Sequence, residues 1–292
     1  MKCKLCNSNR TIKIDTKIRN IKKNELNVYE CKNCEVHFLD SKKTIKDLKS
    51  FYKSSYRILY NNEEYYEEDN INIFFNQQIP EAKNRVNRIK NYLNKTDNIL
   101  EIGCSSGYFL YEAKNYVNKC FGVEWDIKSA EYAQNLGFKV NQDFKDYNMK
   151  FDKIFLFHVL EHIYNPIEYL KELKEKLNQY GKIFIEIPNN NDILLKGYQI
   201  QEFRDFYYQS AHLWYFNRSS LEFIFEQLNL KYNIYNIQRY DLSNHIKWLK
   251  DKKPGGQGFY DNLFSNEIKN NYKKFLIEND KSDTLFCILY EK

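Results

Sequence analysis

The chain has 292 residues, enough for one substantial hydrophobic core and a small accessory unit. Its 45 Lys and Arg nearly balance 39 Asp and Glu, leaving a net charge of +6. The lysines are scattered in short runs such as Lys22-Lys23 and Lys252-Lys253, which argues against the concentrated basic stripe of a dedicated nucleic-acid binder and so against a nucleic-acid partner. No apolar run nears the roughly 18 residues of a spanning helix, and the opening MKCKLC carries no signal-peptide apolar segment. A cytoplasmic protein without a membrane span is expected, and in that reducing compartment its 7 cysteines are thiols or metal ligands before they are disulfides. The 25 Tyr and 21 Phe accompany abundant Lys, Asn and Ile; all have A/T-rich codons, so only aromatics beside a proposed site count as evidence.

Four of the cysteines form Cys3-x-x-Cys6, a gap of 24 residues, then Cys31-x-x-Cys34. Two residues between thiolates let one tight turn present both sulfurs to one ion, and two such turns close a tetrahedral zinc shell. A closed shell has no open position for water, so this zinc is structural. TIKIDTKIRN and ELNVYEC alternate well enough for a small hairpin between the turns, making residues 1–40 a zinc-binding knuckle, with His37 at its surface or, as the alternative, a substitute ligand. Residues 41–79 are charged and Tyr-rich and read as a short helix followed by a mobile linker or lid.

From Pro80 the pattern changes. PEAKNRVNRIKNYL places Ala82, Val86, Ile89 and Leu93 on one helical face, with Pro80 just before the first turn. NILEIG, CFGVEW, FKV, DKIFLFHV and KIFIEIP read as strands, separated by helices GYFLYEAKNYV, IKSAEYAQNLG and NPIEYLKELKEKLNQYG, the last stopped by Gly181. SSLEFIFEQLN starts with Ser219 and Glu222 placed as a capping box, and KYNIYNIQRY and TLFCILYE close the chain as strands. Strands alternating with helices imply an α/β sheet, mostly parallel and covered on both faces, with ligands beyond the carboxyl ends of the strands.

At those ends lies the chemistry. The first strand runs into Glu101-x-Gly103-x-x-x-Gly107, where Gly103 admits close approach of a ligand to the backbone. Glu124 ends the second strand at the spacing of an acid that accepts ribose hydroxyls, and Asp143 ends the third. Each acid alone also reads as a solvated strand end. After the fourth strand comes His158-Val-Leu-Glu161-His162, which matches the H-x-x-E-H pattern of one class of metallopeptidase. That pattern needs a continuous helix, whereas DKIFLF enters His158 as a strand and Asn165-Pro166 starts a new helix. The segment reads as a strand-end corner.

Taken together, Glu101 to Gly107, Glu124, Asp143, Asp152 and the HVLEH segment resemble a class I S-adenosylmethionine-dependent methyltransferase over roughly residues 80 to 240. The resemblance implies a Rossmann-like fold, a seven-stranded, mostly parallel sheet with helices on both faces, with the zinc knuckle at its N-terminal side and a methyltransferase domain over 80–292. It implies that Glu101, Gly103, Cys104 and Gly107 hold the methionine end of S-adenosyl-L-methionine and Glu124 its ribose. Trp125 and Phe144 would flank the adenine, Asp143 would meet its amino group, and His158 would lie near the cofactor. In-line methyl transfer needs alignment, dry surroundings and, for a hydroxyl acceptor, a base; His162 and His212 are the candidates.

Two insertions, 190–216 and 241–283, supply substrate walls. Arg204, Tyr207 and Trp214 fall in the first, Arg239 lies just before the second and His245 within it; the plainer reading is an amphipathic cap packed on the sheet. The four-cysteine unit is similar to that of sugar and small-molecule methyltransferases from bacterial surface-glycan and antibiotic clusters. The expectation is therefore O-methylation of a sugar, nucleotide-activated sugar or phosphate-bearing precursor. The alternatives are an RNA methyltransferase that grips its substrate with the knuckle, and a non-catalytic cofactor-binding scaffold. Oligomeric state has no signal in the sequence.

Overall fold

The computed structural model describes residues 1–20, 25–54, 56, 59 and 68–291, so the middle of the expected linker lies outside the described residues. β1 (Thr11–Ile14), β2 (Val28–Cys31) and β3 (His37–Leu39) form an antiparallel meander, with Thr11 opposite Cys31 and Val28 opposite Leu39. Helices α1 (Ile45–Ser54) and α2 (Glu68–Ile89) follow. The expected helix start at Pro80 is corrected here, because Pro80 sits inside α2. An internal proline costs about 3 kcal/mol or more. Buried Ile71 and Phe75 before it continue the stripe of buried Ala82, Val86 and Ile89 after it, and burial of that one continuous face offsets the cost.

The alternation continues through β4 (Asn98–Ile102), α3 (Tyr108–Ala113), β5 (Lys119–Val123), α4 (Ile127–Asn135), β6 (Lys139–Asn141), β7 (Phe151–Phe157), α5 (Pro166–Lys174) and β8 (Leu177–Pro188). Gly181 therefore does not stop a helix; it lies within β8. Leu173 and Leu177, four apart, suggest one helical face, but both are buried in different elements. Phe151 N bonds to Lys176 O at 2.8 Å and Asn178 Nδ2 to Asp152 Oδ1 at 2.9 Å, which draws this stretch into the sheet. Beyond β8 come α6 (Ile193–Lys196), α7 (Gln201–Tyr207), β9 (Trp214–Tyr215), α8 (Arg218–Glu226), β10 (Lys231–Ile237), α9 (Leu242–Asp251), α10 (Asn266–Glu278) and β11 (Thr284–Tyr290). The capping box of α8 is Asn217 with Ser220, two residues ahead of the expected Ser219 pair.

The main sheet has seven strands in the order β10-β11-β8-β7-β4-β5-β6, and β4 pairs parallel with β5 and β7, as β5 does with β6. β4 and β7 are buried along nearly their whole length, as parallel strands covered on both faces must be. The α/β fold inferred from the alternation is the fold observed.

The chain divides into two compact units. One comprises residues 43–159, 168–184 and 289–292. Its core includes an aromatic stack in which Phe109 lies 5.0 Å from Phe155 and 4.7 Å from Phe157, and Phe155 stacks on Phe184 at 4.9 Å. The other comprises residues 1–42, 160–167 and 185–288. There β9 pairs antiparallel with β3, completing a four-stranded sheet β1-β2-β3-β9. Val28 and Leu39 share a core with Ile193, Phe203, Tyr215 and Trp248, so the N-terminal segment and both expected insertions form one body. Among the described residues no helix is long and apolar enough to cross a membrane.

Candidate active site

In the unit built on β4 to β7, β4 ends in Glu101 and Ile102 and turns sharply at Gly103. Gly103 and Cys104 both donate their amides to Val123 O, at 2.7 and 3.0 Å. Gly103 has φ +69°, and a Cβ there would lie 2.7 Å from Val159 Cγ2, so only glycine fits. Gly107, at φ +80°, caps the short α3. Cys104 is fully buried, its sulfur packed against Gly122; it offers the loop backbone and no side chain.

Glu101 is 2% exposed, its Oε2 is buried without a hydrogen-bond partner, and burial holds its carboxyl well above the usual range against the opposing pull of Arg85. Arg85, on α2, is itself buried and lies 4.4 Å over the Phe157 ring. It was missed as a site residue; an arginine within the apolar stripe of a helix was the available signal. Glu124 accepts Ser105 N on one oxygen and Asp126 N on the other, both at 2.8 Å. Ser105 adopts φ +51° to reach it. The acid thus braces the loop, and a carboxylate keeps lone pairs for further donors.

Asp143 and Phe144 begin a short helical turn in which Asp143 accepts Lys145 N. Phe144 is buried edge-on to Tyr169 at 5.5 Å. Trp125 donates Nε1 to Gln142 O at 2.8 Å. Helix α1 lies across these residues: Lys49 Nζ is 3.5 Å from Asp143 Oδ2 and 5.6 Å from the Trp125 ring, and Tyr52 is 5.8 Å from that ring. The short helix expected near the lid segment is therefore part of this site. Asp152, counted among the landmarks, accepts Asn98 N and Asn178 Nδ2 and so joins strands. His158 sits just past β7 at φ +56°, half-buried.

In the other unit a second cluster forms. Glu161 and His162 end one short helical turn, Leu160–His162, and His212 approaches from the segment before β9. The His162 and His212 rings are 4.7 Å apart and nearly perpendicular. One ligand atom each from Glu161, His162 and His212 lies within 4.8 Å of the others. Leu213 N donates to Glu161 O at 2.9 Å, and Trp214 Nε1 to Ile163 O at 2.8 Å, which ties the two segments together.

The remaining expected substrate residues are placed differently. Trp214 is 3% exposed and packs on Phe38 and Phe216. His245 is 1% exposed, shares a 2.8 Å hydrogen bond with Tyr272, and is pushed down to about 4 by burial. Both occupy core positions. His37, expected at the knuckle surface, is buried and bonded to Tyr208 at 2.7 Å. Arg204 and Arg239 are half-buried, and the backbone of Arg239 binds Asp283. Tyr207 has its hydroxyl buried without a hydrogen-bond partner.

The four cysteines converge as their spacing implies. Cys3 and Cys34 sulfurs are 3.8 Å apart, Cys6 and Cys31 sulfurs 3.5 Å, and all four lie within 4.8 Å of one another. A tetrahedral zinc with bonds of about 2.3 Å needs sulfur–sulfur edges of about 3.8 Å, so the donor set fits.

A family model described as a methyltransferase domain matches residues 74–233, more than half of the chain. Among curated proteins, a tRNA U34 carboxymethyltransferase of Campylobacter fetus subsp. fetus is 34% identical over 115 residues, 35% of this chain and 40% of the relative. A protein of the same name from Campylobacter hominis is 32% identical over 114 residues, 33% and 39%. The chain thus spans about 40% of the length of these curated relatives. Among solved structures, the plantazolicin methyltransferase BamL, in complex with a triazolic desmethylPZN analog and SAH, aligns with TM-score 0.50 and 12% identity over 84% of this chain and 97% of that one. That likeness is one of fold.

The relatives' names correct the expectation of a sugar or small-molecule acceptor, the likeness to glycan-cluster enzymes and the argument against a nucleic-acid partner. Two physical reasons stand behind the error. Net charge averages over the surface and hides local grouping: Lys13, Lys17, Arg19 and Lys252 line one groove together with Asp15, Glu202 and Asp205. The aromatics taken as sugar walls include Trp214 and His245, which are core.

Proposed function

The chain belongs to the methyltransferase-domain family, and we propose that it modifies transfer RNA. It is an S-adenosylmethionine-dependent methyltransferase. The observation that carries the acceptor assignment is the match to tRNA U34 carboxymethyltransferases. Supporting it, Lys13, Lys17, Arg19 and Lys252 line one groove, beside Asp15, Glu202 and Asp205, and such a group of cations can meet phosphates.

For the cofactor, the fit rests on Glu101 and Gly103. Glu101 offers a buried carboxyl oxygen with no hydrogen-bond partner, suited to the amino group of the methionine end. Gly103 leaves a cradle that a Cβ would fill. Glu124 accepts the ribose hydroxyls while still holding Ser105 N and Asp126 N. Trp125, Phe144 and Asp143 receive the adenine, and Gly107 and His158 complete the loop. When bound, the cofactor supplies a carbon activated by the positive sulfur, and the protein supplies alignment and exclusion of water. Tyr207 and Arg204 are retained as acceptor-side residues. The four cysteines hold a structural zinc that fixes β1, β2 and β3, and the protein works in the cytoplasm.

The test is incubation of the purified protein with bulk tRNA and either S-adenosylmethionine or its carboxylated derivative, followed by mass spectrometry of the digested nucleosides. A methyl or carboxymethyl mass gain on a single tRNA nucleoside is expected, with tRNA affinity that falls steeply with salt. Cofactor binding without modification of any tRNA nucleoside overturns the assignment.

A further inference from the structure

We propose that Glu161, His162 and His212 bind a divalent transition-metal ion at a site separate from the four cysteines. The three side chains come from two chain segments fifty residues apart, yet one ligand atom of each lies within 4.8 Å of the others. An ion with bonds of about 2.1 Å holds its ligands about 3.0–3.4 Å apart, so a small side-chain adjustment closes the site. Glu161 is 1% exposed, so bulk water competes little with an ion for its carboxyl oxygens.

Two of the ligands are also held in place from behind. His162 Nδ1 donates to Ala211 O at 2.9 Å. This is the backbone contact by which metal-binding histidines fix their tautomer, and it presents Nε2 as the ligand. The Gln209 amide nitrogen donates to His212 Nε2 at 2.7 Å, a bond that an ion bound at that nitrogen displaces. That amide is itself anchored, its Oε1 accepting Arg19 Nη2. The backbone of Glu161 is pinned by Leu213 N. The two ligand segments are thus fastened to each other, as a preformed site requires.

The donor chemistry selects the ion. Two imidazoles and one carboxylate suit Mn²⁺, Fe²⁺, Co²⁺ or Zn²⁺ better than Mg²⁺ or Ca²⁺, which prefer oxygen alone. Three protein ligands leave coordination positions for water or an oxygen of a ligand, unlike the closed four-thiolate shell. The H-x-x-E-H match in the sequence therefore identified a metal pair by the wrong members. Glu161 and His162 belong to the cluster, His158 does not, and the third ligand is His212.

The inference goes beyond the tRNA assignment and does not depend on it. The experiment titrates Mn²⁺ into the zinc-loaded full-length protein after dialysis against a mild chelator. Free Mn²⁺ is read by electron paramagnetic resonance and total metal by mass spectrometry. About one Mn²⁺ per chain beyond the knuckle zinc is expected, with affinity weakened at least about 10-fold in both Glu161→Gln and His212→Ala. S-adenosylhomocysteine affinity serves as the folding control, and should one variant misfold the other carries the test. No binding up to millimolar Mn²⁺, or equal binding in wild type and both variants, overturns the proposal. So does a wild type that binds no ion yet loses activity on His212→Ala, because the imidazole would then act as a base.

Discussion

The loop from Glu101 to Gly107 and the aromatic segment from Asn190 to Tyr260 are held by different means. The loop is a backbone object: two amides converge on Val123 O, Ser105 N rests on Glu124, and Gly103 leaves no room for a side chain. The aromatic segment is a side-chain object. Phe203, Trp248 and Tyr215 pack with Val28 and Leu39, and its polar groups are tied inward, as His245 is to Tyr272. Backbone constraints name their residues almost uniquely. Packing constraints accept many residues of suitable size, so a Trp or His there does not announce whether it faces a ligand or the core.

That contrast can be broken at several points. Cys31→Ser should have the largest effect. Loss of one thiolate from a closed shell should release the zinc and cost at least about 5 kcal/mol in unfolding free energy, read by metal analysis and urea titration. Cofactor affinity should change little, since no cysteine of the cluster belongs to the unit carrying the loop; a parallel loss of S-adenosylhomocysteine binding would break that expectation.

Next in size is Gly103→Val, whose β-carbon meets Val159 Cγ2 at a φ of +69°. Strain of about 3 kcal/mol should weaken S-adenosylhomocysteine binding by roughly 100-fold in calorimetry. A near-normal affinity would mean that the loop yields.

His245 predicts a pH effect. Its folded value is lowered to about 4 by burial, below its unfolded value near 6.5. The unfolded chain therefore binds a proton first as pH falls, and stability drops between about pH 6.5 and 4, by up to about 3 kcal/mol. His37, also lowered by burial, adds to this in the same direction. The buried acids Glu101 and Asp192 act oppositely: their raised values withdraw stability as pH rises above the usual carboxylate range. His245→Asn should flatten the acid limb of a urea-midpoint series, and an unchanged slope would show that the ring is not the titrating group.

The smallest effect is expected from Tyr207→Phe. Its hydroxyl is buried without a hydrogen-bond partner, so removal should be neutral or stabilising by up to about 1 kcal/mol. Turnover should fall with stability kept, and unchanged turnover would remove that hydroxyl from the acceptor side.

Several parts of the site were legible in advance because local chemistry dictates them. The four-cysteine spacing, the Gly103 turn and Glu124 at a strand end all follow from what a short stretch of backbone can do. Other parts were not. The start of α2 was hidden because Pro80 masks a stripe that continues on both sides of it. The end of α5 was hidden because Leu177, helical by spacing, is taken into β8. Arg85 and Lys49 escaped notice because their place beside Glu101 and Asp143 depends on helices packed far from those acids in sequence.

The sequence alone determined the alternation of strands and helices, the sulfur cluster and the tight turn after β4, since each is set by residues within a few positions of one another. Only the tertiary structure decided that β9 completes the N-terminal sheet, that Trp214 and His245 are core, and that His212 joins Glu161 and His162. Those pairings bring together residues tens of positions apart or more, and the geometry of packing selects among many partners that spacing cannot tell apart.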